Sequence, residues 1–199
     1  NNGLKWEETH FKLNEDGLFM PTPYLMMLNL VNVINAIKGK SILYDASGNP
    51  ISGDETQELY QYLTKDGHGG GVWTWLDAKF VKISTGAPGQ LELGIEIDHR
   101  LIAKRGKKEL QSNQSPLLSY LREDCYVDLE FNAQGFATKK SINQSYSQGN
   151  NIYFYHPRQN YVARFGAGSG GADLGCGRDP GDSDSWLGVL SCAEGTQTK

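Results

Sequence analysis

The segment 166–186, GAGSGGADLGCGRDPGDSDSW, consists almost entirely of Gly, Asp and Ser, and it constrains the fold of this chain more than any other feature. It separates two apolar stretches, 161–165 (YVARF) and 187–190 (LGVL), that have the composition of buried strands. Such a segment can be a flexible linker, a calcium-binding loop, or a surface whose side chains are exchanged without loss of the fold.

Alternation within the segment predicts strands with one apolar side. The side chains expected to face a core are those of Phe165, Ala167, Ala172, Leu174 and Cys176. The positions expected to face outward are Gly166, Gly168, Asp173, Gly175 and Gly177. The apolar frame is regular, and only the outward positions lack large apolar side chains.

Calcium is the alternative ligand for this segment. Asp173, Asp179, Asp182 and Asp184 supply carboxylate oxygens, and the glycines permit tight loops. The segment lacks the EF-hand order, with no Glu closing the loop, and it has no repeated nonapeptide. No cofactor is therefore expected, and a calcium-dependent lectin-type module that uses these loops remains the alternative interpretation.

Composition and charge argue against nucleic acid and membrane partners. The 199 residues carry a formal net charge of −4, so no basic field would attract nucleic acid or anionic lipid. The basic cluster at 104–108 is interpreted as a solvated turn. The most apolar stretch, 20–38, carries Asn29, Asn32 and Asn35 at every third position, which predicts an amphipathic helix packed on the domain.

The order of predicted elements, with helices early and strands late, indicates an α+β domain. Ser52 and Glu55 have the spacing of a capping box at the start of a second helix. Strands are predicted within 69–83, 90–97 and 125–131, and a short helix at 115–124. A hairpin is predicted from the stretches 151–157 and 161–165 around a turn at 158–160.

No local motif predicts catalysis or a metal site. His10, His68, His99 and His156 lie far apart in the sequence, so no zinc site is predicted and structural roles are expected. The three cysteines leave one unpaired, and a bond between Cys176 and Cys192 is left open. Neither a nucleophile elbow nor a phosphate loop is present, and no enzyme is expected.

Several segments resemble a known family. The succession 162–165 (VARF), Ala172-x-Leu174-x-Cys176 and 187–189 (LGV), with Pro180 and Ser183 between them, is similar to the carboxy-terminal end of variable proteins of diversity-generating retroelements. The segments 73–80 (WTWLDAKF), 124–135 (DCYVDLEFNAQG) and 149–165 (GNNIYFYHPRQNYVARF) resemble archaeal and archaeal-virus members. The resemblance runs from about 55 to 195 and is most specific from 151 onward.

The resemblance implies a C-type lectin fold of the formylglycine-generating-enzyme subtype. It implies a non-catalytic protein on a virus particle or cell surface, with diversified residues on one exposed face. The implied partner is a protein ligand or cell-surface receptor, with a glycan less expected, and the oligomeric state is left open. The expected organisation is an N-terminal segment at 1–40, with its helix packed on the domain, followed by a C-type lectin-like domain at 41–199 whose variable region spans about 162–192.

Carried over to this sequence, the resemblance assigns the diversified positions and a fixed frame. The diversified positions are Gly166, Gly168, Gly170, Gly171, Asp173, Gly175, Gly177, Arg178, Asp179, Gly181, Asp182, Asp184, Ser185 and Trp186. The frame consists of Arg164, Phe165, Ala172, Leu174, Pro180, Leu187, Gly188 and Val189. In this family a reverse transcriptase misreads template adenines, and A-to-G changes in an AAC codon yield Asp, Ser or Gly, the residues that dominate this segment.

The chain departs from the better-known bacterial pattern in its loops. It lacks the Gly-Gly-Ser-Trp that usually follows the Arg of the first late strand, and it has Leu-Gly-Val in place of Gly-Phe-Arg. Small residues and four aspartates predict an acidic face, with Arg178 and Trp186 as its anchors. A convex, basic partner is expected to suit such a face, or this copy binds only weakly.

Overall fold

A computed structural model describes residues 3–64, 72–84, 89–183, 187–188 and 190–193 of the chain. The helices are α1 (Trp6–Glu15), α2 (Pro23–Ile37) and α3 (Gly53–Thr64). The strands are β1 (Leu18–Phe19), β2 (Val72–Ser84), β3 (Leu91–Lys104), β4 (Lys107–Pro116), β5 (Cys125–Asp128), β6 (Asn151–Tyr155), β7 (Val162–Gly168), β8 (Gly171–Arg178), β9 (Leu187–Gly188) and β10 (Cys192–Ala193). The fold is therefore mixed α+β, as the sequence predicts.

One large sheet of mostly antiparallel strands dominates the fold. Its strand order is β4-β3-β2-β7-β8-β6-β5, and β9 pairs with β2 off this path. Among the described strands, only the β6–β8 and β2–β9 pairings are parallel. A separate two-stranded sheet joins β1 to β10, so segments near the two ends of the described chain are paired.

Helix α2 lies on the inner face of this sheet. Thr22 caps its first turn by accepting a hydrogen bond from the Leu25 amide, and Pro23 occupies the first turn, where its missing amide hydrogen is not needed. Its apolar side chains enter the main core, while Asn29 and Asn32 are exposed, which confirms the predicted amphipathic pattern. No helix in the described parts of the chain is both long and apolar enough to cross a membrane.

Helix α3 begins at the predicted capping box. The Glu55 amide donates to the Ser52 hydroxyl, and the Ser52 amide donates to the Glu55 carboxylate. This reciprocal pair satisfies two amides that a helix start otherwise leaves without partners. The prediction at Ser52 and Glu55 is confirmed.

The basic cluster forms the turn between β3 and β4. Arg105 and Gly106 both have positive φ, of 50° and 76°, which is the geometry of the tightest hairpin turn. The side chains around this turn are exposed, so the prediction of a solvated turn is confirmed. The strand that follows it, β4, was missed because its sequence is polar.

Two local predictions are wrong. No helix forms at 115–124, because β4 continues to Pro116 and the chain then runs without regular structure to β5. The stretches 151–157 and 161–165 do not form a hairpin with each other, because β8 inserts between β6 and β7 and pairs with both. The inserted strand is the Gly-rich segment itself, which forms a hairpin with β7 around Ser169 and Gly170.

The outer face of the sheet is only partly covered by the described helices. At one end α1 packs on it, and Trp6, Leu13, Trp75 and Val162 form a second, smaller core there. The Trp6 indole donates a hydrogen bond to the Leu76 carbonyl at 2.9 Å, which fixes α1 on the sheet. No described helix covers the remainder of this face, which lies over β7, β8, β6 and β5.

Candidate binding surface

One row of side chains crosses five neighbouring strands on the uncovered part of the outer face. The directly opposed residues along this row are Trp73, Gly166, Asp173, Tyr153 and Tyr126, from β2, β7, β8, β6 and β5. Opposed residues share one face of a sheet, so strands far apart in the sequence contribute to one continuous surface. Below we call the surface around this row, which includes Tyr155, Arg158, Arg164 and Arg178, the outer aromatic face.

The inward neighbours of this row are buried. Phe165, Leu174 and Phe154 have no measurable exposure, and Ala172 is 2% exposed. These residues belong to the core that α2 and α3 cover. The alternation predicted from the sequence for β7 and β8 is therefore confirmed for the inward side.

Arg164 and Asp173 form the centre of the outer aromatic face. Arg164 Nη1 lies 2.9 Å from Asp173 Oδ1, and its guanidinium carbon lies 4.3 Å from the centre of the Trp73 ring. Burial raises the pKa of the Asp173 carboxyl, although the Arg164 guanidinium opposes this shift. The ion pair and the stacked indole together hold Arg164 against the sheet.

A bulge brings Arg178 onto the same face. Between the pairs Arg164–Gly175 and Val162–Arg178, β8 advances three residues while β7 advances two. The extra residue reverses the alternation, so the Arg178 guanidinium carbon lies 5.7 Å from the Trp73 ring centre. Arg178 Nε is also 2.7 Å from Asp182 Oδ2, in the turn after β8.

Tyrosines from β5 and β6 form the other half of the outer aromatic face. The Tyr126 and Tyr153 rings meet edge to face at a centroid distance of 4.9 Å, and Tyr153 meets Tyr155 at 4.8 Å. Tyr155 is 39% exposed. Three large rings are thus pre-arranged in contact with one another, which already restricts the rotation of these side chains.

Two adjoining depressions lie on this face. The first, of about 570 Å³, is lined by Trp73, by the three tyrosines and by the turn between β7 and β8. The second, of about 290 Å³, is lined by Asp124, Arg158 and Arg178 among others. Tyr155 and Arg164 line both, so the two depressions are continuous.

Asp124 orders the rim of the second depression. Its Oδ1 accepts the His156 amide at 2.9 Å and lies 2.6 Å from His156 Nδ1, and its Oδ2 accepts Arg158 Nη2 at 2.7 Å. Burial raises the pKa of Asp124, but the hydrogen bonds from His156 and the charge of Arg158 outweigh it and lower that pKa overall.

The predicted diversified glycines differ in the space around them. A side chain at Gly168 or Gly170 would meet nothing within 4 Å, whereas one at Gly166 would touch the Arg164 guanidinium and the Asp173 carboxylate. Gly171 has a φ of +101°, and a side chain there would collide with the Tyr146 ring. The geometry therefore permits free exchange at Gly168 and Gly170 and restricts it at Gly171.

The remaining predicted positions lie at the end of β8 and beyond it. Asp179 is exposed and accepts the Gly181 amide through its side chain, and Asp182 pairs with Arg178. Asp184, Ser185 and Trp186 lie outside the described residues, as does Val189 of the predicted frame. The part of the face that can be described is less acidic than expected, because Asp173 and Asp182 each face an arginine.

The predicted calcium ligands do not converge within the described residues. In the parts of the chain that the structure places, the one group of three metal-ligating side chains is His10, Asp77 and His99. His99 Nδ1 lies 2.6 Å from Asp77 Oδ1, and His10 Nε2 lies 3.5 Å from the same oxygen. Burial lowers the pKa of His10 to about 4, against the opposing charge of Asp77, so its imidazole is neutral at pH 7.

The three cysteines are free thiols. Cys176 is fully buried on the inward side of β8, and burial raises the pKa of its thiol well above the ordinary value. Cys192 is half-buried in β10 and is not bonded to Cys176. A buried, protonated thiol is a poor nucleophile, so Cys176 serves the core.

Sequence reasoning missed most of the aromatic side chains on this face. Tyr126, Tyr153 and Tyr155 alternate with buried residues in their own strands, and this signal predicts that they face outward. The sequence does not reveal that β5, β6 and β2 flank the Gly-rich hairpin, which is what gathers these rings beside Arg164. Comparison of the chain with models of known protein families, with curated proteins and with solved structures finds no match.

Proposed function

We propose that this chain is a non-catalytic recognition protein that binds a protein target through the outer aromatic face. The observation that carries the proposal is the outer aromatic face, where Trp73, Arg164 and the tyrosines lie beside a hairpin of small residues. A few residues supply most of the binding energy in protein interfaces, and Trp, Tyr and Arg are enriched among them. Small neighbours leave room for the target to reach them.

The scaffold beneath this face suits exchange of the outward residues. Its inward side chains are buried in the main core, and stability resides chiefly in such residues and in the backbone ladder. Exposed substitutions usually change stability by no more than about 0.5 kcal/mol. A change at Gly168, Gly170 or Asp179 would therefore alter the target more than the fold.

We further propose that the chain is a variable protein of a diversity-generating retroelement with a C-type lectin fold. Sequence resemblance supports it, and so does the position of the proposed variable region on β7, β8 and the turn that follows. Display on a virus particle or cell surface belongs to the same proposal.

A protein target fits the face better than a glycan does. The face combines rigid aromatic rings with guanidinium groups, and aromatic residues and Arg are enriched in protein interfaces. A protein with a convex loop would fill the two adjoining depressions. Its carboxylates or carbonyls would meet the arginines at the rim.

Sequencing tests the retroelement assignment. Gene copies from several isolates, read together with the neighbouring DNA, are expected to contain a second copy of the 3′ end that differs where that copy has adenine. Substitutions should concentrate in the codons of the outward positions, such as Gly168 and Asp179, and should spare those of Ala172 and Leu174. Substitutions spread equally over both classes of codon would contradict the assignment.

A further inference from the structure

We infer that His10, Asp77 and His99 form a binding site for a divalent transition metal of the zinc type. The site is separate from the outer aromatic face and does not depend on the proposed function. His10 comes from α1, Asp77 from β2 and His99 from β3, so three elements that are distant in the sequence converge on it.

The donor atoms have the chemistry and spacing that such an ion requires. The three ligand atoms all lie within 4.8 Å of one another. Ligands at about 2.0–2.1 Å from a tetrahedral zinc ion stand roughly 3.3 Å apart. Small rotations of the two rings would therefore place all three atoms around one ion, with His99 giving up its short contact to Asp77.

The burial of His10 is the second observation that points to a ligand. Its side chain is 1% exposed, and neither ring nitrogen has a hydrogen-bond partner among the described residues. Leaving a buried polar group without a partner costs about 1–3 kcal/mol. A metal ion at Nε2 would remove part of that cost, and it would also compensate the buried Asp77 carboxylate.

Asp77 is already oriented as a ligand would be. Its Oδ2 accepts the His99 backbone amide at 2.9 Å, which fixes the carboxylate plane and leaves Oδ1 directed at the two rings. Hydrogen bonds of this kind position metal ligands in established sites.

The ion would have access and an open coordination position. Asp77 and His99 line a cavity of about 660 Å³ that extends toward Asn14, Leu18 and Leu101. Two imidazoles and one carboxylate leave at least one position for water from this cavity. Because His10 lies on α1, the bound ion would also tie that helix to the sheet.

The chain contains a matched control for this site. His156 contacts Asp124 through the same two groups, its backbone amide and Nδ1, at 2.9 and 2.6 Å, although both contacts are to Oδ1. No second histidine accompanies that pair among the described residues. The His156–Asp124 pair therefore lacks the second histidine that completes the ligand set at His10, Asp77 and His99.

The test is a titration of the chelator-treated full chain with Zn²⁺ and with Co²⁺. We expect one ion per chain, a rise in Tm with Zn²⁺, and visible Co²⁺ bands without thiolate charge transfer. The ring nitrogen signals of His10 and His99 should shift in ¹⁵N spectra of the unsubstituted protein while those of His156 stay in place. The spectra make the test independent of whether the variants fold.

Variants then assign the ligands. His10→Gln and Asp77→Asn should each weaken Zn²⁺ binding at least about tenfold, the smallest loss expected when a supporting residue of a metal site is removed. His156→Gln should bind as the parent does. Absence of binding, thiolate bands, or equal binding in His10→Gln and the parent would each overturn the inference.

Discussion

Arg164 and Asp173 form an ion pair of 2.9 Å between neighbouring strands, in the space left by the missing side chain of Gly166. The Arg164 side chain is 11% exposed and lies against Trp73. One residue of the predicted frame is thus bonded to one of the predicted diversified residues. Exchange at position 173 would therefore also change where Arg164 points.

Replacing Asp173 tests the strength of this pair. Asp173→Asn removes the charge that compensates a mostly buried guanidinium, so we expect the free energy of unfolding to fall by about 1–2 kcal/mol in urea titrations. Asp179→Asn is the control, because Asp179 is exposed, and it should change that quantity by no more than about 0.5 kcal/mol. If the two substitutions changed the free energy of unfolding equally, the Arg164–Asp173 pair would contribute nothing to stability.

Two adjacent glycines in the β7–β8 turn should respond differently to alanine. Gly171→Ala forces a side chain into the Tyr146 ring at a positive φ, and we expect a loss of about 2 kcal/mol. Gly170→Ala has nothing within 4 Å and should stay within about 0.5 kcal/mol of the parent. Thermal unfolding of both variants measures the difference. A tolerated alanine at 171 would refute the contact.

Titration of Tyr146 is expected to destabilise the fold at alkaline pH. Burial raises its pKa to about 12 from 10.0, and its hydroxyl donates to the Thr64 carbonyl of α3. Because the folded chain holds this proton more tightly, its contribution is complete below pH 10 and is lost as the pH rises toward 12.

Comparison with Tyr146→Phe isolates this contribution, since other tyrosines and lysines also titrate in that range. Between pH 10 and pH 12, the free energy of unfolding of the parent should fall by about 1–2 kcal/mol more than that of the variant. This value is reduced because the ring is partly exposed. If the free energy of unfolding fell equally with pH in both proteins, Tyr146 would not be the cause of the loss of stability.

Matched tyrosines locate the binding face. Tyr155 is 39% exposed on the outer aromatic face, and Tyr62 is 42% exposed on α3 at the opposite side of the sheet. For a protein target obtained by selection, Tyr155→Ala should weaken binding at least about tenfold, as loss of an interface anchor does. Tyr62→Ala should leave the affinity unchanged in the same surface-binding assay. If Tyr62→Ala weakened binding more than Tyr155→Ala, the interface would lie on the helical side of the sheet.

Local alternation was sufficient to predict the inward and outward sides of β7 and β8, because that signal depends on neighbouring residues only. The position of β8 between β6 and β7 was not predictable in the same way. A short turn at 158–160 favours a hairpin, and the insertion of a later strand is set by contacts across the whole sheet. The bulge that brings Arg178 to Trp73 leaves no local signal either.

The histidine cluster was missed for the same physical reason. Asp77 and His99 are 22 residues apart, and His10 lies on a helix far upstream of both. Motif spacing detects ligands on one helix or one loop. It does not detect ligands that β2, β3 and α1 bring together after folding.

We propose that inward residues of β7 and β8 maintain the fold, whereas outward residues of these strands and of the turns beside them determine which target is bound. Two libraries of the displayed chain, each with five positions randomised, separate these two roles. The outward positions are Gly168, Gly170, Gly177, Asp179 and Asp182. The inward positions are Ala163, Phe165, Ala172, Leu174 and Cys176.

The measurement is the fraction of each library that resists protease, followed by selection for binding to a panel of proteins. We predict that most outward variants stay folded, that few inward variants do, and that new binders come from the outward library. Restoring the original five outward residues should abolish the new binding. Equal folded fractions in the two libraries, or binding that survives the restoration, would contradict this division of roles between inward and outward residues.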